Sequence, residues 1–201
     1  MEISASLVKE LRDKTGVGVM DCKKALNECN GDIDQAIDYL RKKGIATAQK
    51  RGGRETSDGQ IQSYIHIGGK IGVLVEVNCE TDFTGKTVDF TEFARNIAMQ
   101  IAATNPISVD REGIPSEILN KEREIYATQA KESGKPEKII EKIVEGKMKK
   151  FYTEVCLLEQ PYVKNPDISV QDLLHEMIAK TGENILIRRF ARFQLGGSDD
   201  R

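Results

Sequence analysis

The sequence predicts an α+β protein: an N-terminal three-helix unit, then a core in which a three-stranded antiparallel sheet packs with helices. Three observations carry this reading. Apolar residues recur at helical spacing through residues 1–44. Two alternating runs flank Gly68–Gly69, and a third alternating run closes a chain that is otherwise helical in pattern from Phe90 onward.

Taken in order, Leu7, Val8 and Leu11 mark a first helix, with Ser4 as its N-cap and "TGVG" (15–18) as its end. Met20, Cys22, Ala25, Leu26 and Cys29 outline a second. "NGD" (30–32) is a turn, and Asp32 with Gln35 makes a capping-box start for a third helix. Ile33, Ala36, Ile37 and Leu40 are that helix's buried stripe, and Gly44 is expected to end it. "QIQSYIHI" (60–67) and "KIGVLVEVNC" (70–79) read as a hairpin. Ile61, Ile65 and Ile67 share one face of its first strand, and Ile71, Val73, Val75, Val77 and Cys79 share one face of its second. Helices follow over Phe90–Ile101, over 115–132, and from Ile139 to about Leu158, with "GKP" (134–136) as punctuation. "SVQD" (169–172) opens a last helix that Gly182 closes. "ENILIRRFARF" (183–193) is the final strand, which must pair with the hairpin, since no other strand is available to it.

The domain organisation that follows is a three-helix unit at 1–45, a basic linker at 46–58, an α+β core at 59–195 and a flexible tail at 196–201.

Composition narrows the function. Lys+Arg 30 against Asp+Glu 32 gives a net charge of −2, so no overall field recruits nucleic acid or acidic lipid. Trp is absent and aromatics are 5%, which speaks against a base-stacking platform. No run of about 18 apolar residues crosses a membrane, and "MEISASLVKELRDKTG" has neither signal- nor transit-peptide character, so a cytoplasmic protein is expected. Cys22, Cys29, Cys79 and Cys156 form no CxxC pair and read as reduced core residues. His66 and His175 lie far apart, no phosphate-binding glycine motif occurs, and no Ser or Cys has a readable base. The expectation is a protein that is not an enzyme, with no cofactor and no metal.

One stretch stands out. After the apolar run, "NCETDFTGK" (78–86) sets a carboxylate and a phenyl ring side by side. Two readings stand open on residue type. Either Thr81 and Asp82 cap a turn and Phe83 folds back into the core, or Phe83 is an exposed anchor for a partner with Asp82 beside it.

Three stretches carry a family resemblance. "LVKELRDKTGVGVMDCKKALNECNGDIDQAIDYLRKKG" (7–44) resembles the N-terminal ubiquitin-associated-like domain of the translation elongation factor Ts family. "YIHIGGKIGVLVEVNCETDF" (64–83) resembles the start of that family's core, and "GENILIRRF" (182–190) the strand that closes it. In order and nearly end to end, the chain resembles the family's short form, with one core repeat. The resemblance implies a guanine nucleotide exchange factor for elongation factor Tu in its GDP-bound and nucleotide-free forms, acting as a homodimer without direct contact to nucleic acid or membrane. It further implies that Thr81, Asp82, Phe83 and Thr84 form the loop that disturbs the partner's magnesium site. Lys9, Arg12, Val19, Met20, Thr181 and Gly182 are implied as further partner contacts, although core packing is the competing role for Met20 and a helix C-cap for Thr181 and Gly182. Where the family usually has an aliphatic residue and Ala after the Phe, this chain has Thr84–Gly85, and a glycine there is expected to loosen the loop. Two other classes compete: a module in which the three-helix unit alone recognises its partner, and an RNA- or ribosome-associated protein using the basic linker.

Overall fold

Ser4 caps the first helix as its position suggests: its side chain accepts a hydrogen bond from the Leu7 amide at 3.3 Å, and α1 runs over Ala5–Thr15. The computed structural model of the chain describes residues 3–132 and 136–197. Gly16 ends α1 in the left-handed region, with φ 66°. Helix α2 spans Val19–Glu28, Asn30 and Gly31 turn the chain at positive φ, and Asp32 caps α3, its carboxylate accepting from both the Gln35 amide and Gln35 Nε2. Val8, Leu11, Val17, Cys22, Ala25, Leu26, Ala36 and Leu40 form one buried cluster. Met20 is outside it, 75% exposed, so the core-packing reading of that residue fails.

Helix α3 continues past Gly44 to Arg51. The expected stop fails for a packing reason. A Cβ at Gly44 would lie 3.3 Å from Ala179 Cβ and 3.5 Å from the His175 carbonyl, so the glycine serves a close helix approach, not a cap.

Strand β1 (Asp58–Ile65) and β2 (Ile71–Cys79) form the expected hairpin, and β5 (Ile185–Gln194) pairs with β2, giving the order β1-β2-β5. Val73, Val75, Val77 and Cys79 are buried on one face of β2, as are Ile185 and Ile187 of β5. A four-residue turn, α4 (Asp82–Gly85), follows β2, and α5 (Val88–Thr104) then buries Phe90, Phe93, Ala94, Ile97, Ala98 and Ile101. Helices α6 (Ser116–Glu132) and α7 (Glu137–Val155) come next. Most of the "GKP" punctuation between them lies outside the described residues, as does the end of the tail. Strands β3 (Pro161–Tyr162) and β4 (Asn165–Ser169) make a small second sheet that the sequence pattern did not reveal, and α8 spans Val170–Thr181. Strand β3 is two residues long, too short for alternation to register.

The chain forms two units. The first comprises Met1–Gln60, Val77–Ala94 and Gln171–Leu186; the second comprises Ile61–Glu76, Arg95–Val170 and Ile187–Arg201. Within the second, the buried Gln100 amide donates to Gln160 Oε1 and the Pro161 carbonyl and accepts from the Val163 amide, so its burial carries no unmet polar group. All the residues that matter to the loop after β2 belong to the first.

Candidate functional site

The end of β2 is built to hold a turn. Thr81 has extended backbone (φ −132°, ψ 153°), and its hydroxyl accepts from the Thr84 amide at 3.5 Å, which makes it the N-cap of α4. The Gly85 and Lys86 amides then donate to the Thr81 and Asp82 carbonyls. One helical turn therefore puts Asp82 and Phe83 on the outside and Thr84 and Gly85 inside, where both are buried. Phe83 is 82% exposed, so of the two readings of this ring the folded-back one fails.

Gly85 is not the loose exit the sequence suggests. Its backbone lies against Cys79 and Gly59, and an added Cβ would sit 3.5 Å from Cys79 Sγ and 3.6 Å from Gly59 Cα, in ordinary contact. Gln60 Nε2 donates to the Gly85 carbonyl and to Thr91 Oγ1, fixing the turn from the side of β1. Gly59 is itself required by its approach to β2: at φ 137°, a Cβ there would fall 2.1 Å from the Val77 carbonyl oxygen. The Cys79 thiol donates to the Thr81 carbonyl at 3.1 Å. Burial, with the nearby Glu183 and Asp58 carboxylates adding to it, pushes that thiol up to about 11, so it is an inert packing group.

Two carboxylates bind the turn to the segment before β5. Glu183 Oε2 accepts from the Glu80 and Thr81 amides at 3.1 and 3.0 Å, and its Oε1 accepts from the Thr81 hydroxyl at 2.6 Å. In return, Glu80 Oε1 accepts from the Asn184 amide at 2.6 Å, and Asn184 Nδ2 donates to the Arg54 carbonyl. Arg54 and Arg51 lie 3.2 and 3.6 Å from the Glu80 carboxylate. The hydrogen bond from the Asn184 amide, then Arg54 and Arg51, hold Glu80 below the usual carboxylate range. Desolvation works to raise Glu183, but donors from Thr81, Thr84 and Glu80 outweigh it and hold that group low as well. Arg51 and Arg54, part of the stretch expected as a basic linker, are thus counter-charges to Glu80.

Asp82 is paired within its own turn: Lys86 Nζ lies 2.6 Å from Asp82 Oδ2, and this hydrogen bond and charge keep the carboxyl low. Thr181 and Gly182 sit at the end of α8. The Thr181 hydroxyl donates to the Met177 carbonyl and accepts from the Glu183 amide, and Gly182 closes the helix at φ 72°. Their cap role is therefore real, and it orients Glu183. Lys9, Arg12 and Val19 line one shallow groove on α1 and α2 together with Ile3, Val8 and Lys23, and exposed Met20 follows Val19.

Sequence reasoning missed Glu80, Glu183 and Asn184. The hydrogen-bonded pairs among them are separated by more than a hundred positions, so no local spacing signals them. Among the described residues no group of three or more His, Cys, Asp or Glu could hold a metal ion, and no helix is long and apolar enough to cross a membrane. His175 Nε2 lies 2.9 Å from Gln171 Nε2, and burial holds the ring's pKa below the ordinary histidine value. His66 Nδ1 lies 3.1 Å from the Tyr64 hydroxyl.

A sequence model of the family described as "Elongation factor TS" matches residues 33–197. The chain is 64% identical over 194 residues to the protein named Elongation factor Ts of Desulfosudis oleivorans, covering 96% of this chain and 98% of that one. It is 61% identical over 196 residues to the protein of the same name from Desulfotalea psychrophila, covering 98% of this chain and 100% of that one. With the Carboxydothermus hydrogenoformans protein it shares 60% identity over 194 residues, 96% of this chain and 89% of the relative.

Proposed function

The chain belongs to the elongation factor Ts family, and from that premise we propose that it is a guanine nucleotide exchange factor for elongation factor Tu. Asp82 and Phe83 enter the GTPase near its magnesium site and loosen the grip on the ion and the phosphates. GDP in such GTPases is held largely through Mg²⁺ and backbone contacts to the β-phosphate. A factor that binds the nucleotide-free GTPase more tightly than the GDP form must, by linkage, weaken GDP by the same coupling free energy. It needs no catalytic base, nucleotide pocket or cofactor for this. Asp82 exchanges its exposed Lys86 partner for groups on the GTPase, a small cost because surface ion pairs contribute little. Thr81 and Thr84 shape the turn, and Lys9, Arg12, Val19 and Met20 supply a second contact, as do the exposed edges of Thr181 and Gly182.

The observation that carries this reading is the 82% exposure of a phenyl ring on a turn fixed on both sides. A single exposed apolar side chain is ordinary on a protein surface, but an aromatic held out on a preformed turn suits the role of an interface anchor. Release of labelled GDP from elongation factor Tu tests it. The wild type should accelerate release, and Phe83→Ala and Asp82→Ala should each slow the catalysed rate on the order of tenfold, the loss of one anchor of about 1–2 kcal/mol. A wild type without effect ends the functional reading; two variants as fast as wild type end the loop mechanism alone.

A homodimer belongs to the same reading. Ile65, Leu74, Phe193 and Leu195 line an apolar groove at the hairpin end of the sheet, and all four side chains are exposed in the single chain. A second copy covering this face would remove that surface from water. The three-helix unit, the linker and the core then act as one factor in the cytoplasm.

A further inference from the structure

We propose that Glu183 is the positioning residue of the exchange turn, the group that sets its shape before the partner arrives; this rests on the exchange reading above. The argument is one of hydrogen-bond accounting. Three donors at the start of the turn, the Glu80 and Thr81 amides and the Thr81 hydroxyl, all end on this single carboxylate. Committing the Thr81 proton to Glu183 turns a lone pair of the same oxygen toward the Thr84 amide, which is the bond that starts the helical turn. The carboxylate thus fixes the direction of a cap one residue before Asp82. Glu183 is itself held by the Thr181 hydroxyl on its amide and by the left-handed Gly182. The Asn184 amide on Glu80 closes the arrangement from the other direction. A neutral amide in place of the carboxylate keeps the volume but replaces one acceptor oxygen by a donor that faces other donors.

The test uses the full chain with Glu183→Gln, and with Glu183→Asp as a second variant should the first lose its fold. Amide hydrogen exchange of Glu80 and Thr81, read in the free protein, should accelerate roughly tenfold or more in Glu183→Gln, while the core amides of α5 keep wild-type protection. At saturating factor, the maximal rate of GDP release from elongation factor Tu should fall about as far as in Phe83→Ala. The factor concentration for half-maximal effect should move less than about threefold, because the α1–α2 contacts remain. Combined with Phe83→Ala, Glu183→Gln should cost less than the product of the two single losses, since part of its effect runs through the ring that is already gone. Unchanged protection of the two amides overturns the positioning role. Lost protection with wild-type release rates, or fully multiplicative loss in the double variant, overturns its link to exchange. A wild type that fails to accelerate release overturns the exchange reading and leaves the amide result to stand by itself.

Discussion

At the tip of the turn, Phe83 is exposed while its neighbours Thr84 and Gly85 are buried, and the division follows from one Thr81 cap. The cap was legible in the sequence, because Thr before a short polar turn is a common N-terminal signal. The ring's exposure was not, because it depends on which way the turn rolls, and that is decided by Gln60, Gly59 and Glu183 from elsewhere in the chain. Gly85 shows the converse error: a glycine read as freedom is a packed residue in a helical turn, outside the positive-φ region. Gly85→Ala should therefore raise stability by about 0.5–1 kcal/mol, by restricting the unfolded chain where the native backbone already suits alanine. A higher urea midpoint with an unchanged slope is the expected result, with GDP release at least as fast as wild type. A lowered midpoint would mean that the 3.5 Å approach to Cys79 Sγ is too tight.

The elements themselves were mostly readable. Periodicity located α1, α2, α5, α8, the hairpin and β5, since each presents a full apolar stripe or alternation to a core. Gly44 misled the reading of α3, because a glycine at a helix–helix approach and a glycine at a helix end look alike in one dimension. Between elements, the turn α4 and the α8–β5 connection are joined by carboxylates held below their ordinary range. Such groups stabilise the folded arrangement above the unfolded-state carboxylate pKa, near 4.3 for Glu, and the contribution is lost as pH falls through the lower folded values. The Glu80 and Thr81 amide resonances should accordingly stay fixed from pH 7 to about 5 and shift only below about pH 4. A midpoint near 6 would point to a different titrating group.

At the level of the whole molecule, the ordered resemblance of three stretches to one family was the most informative thing in the sequence, and the family membership bears it out. Ile61 and Ile65 share one face of β1 as expected, while Ile67, expected on the same face, lies beyond the strand's end in the turn. The exposure of that face was not foreseen, since a sheet's two faces are indistinguishable until the helices have chosen one. Leu195→Glu or Phe193→Glu, on the apolar groove, should convert the proposed dimer to a folded monomer, seen as a halved mass in sedimentation at micromolar concentration with unchanged helix content. A wild-type monomer under those conditions would remove the dimer from the proposal. The crossed carboxylates also have a consequence for biosynthesis. Glu183, on which three donors of the turn end, follows it by about a hundred positions and so leaves the ribosome after it. A nascent chain that has not yet reached Glu183 therefore carries the complete turn sequence without the acceptor on which those donors end.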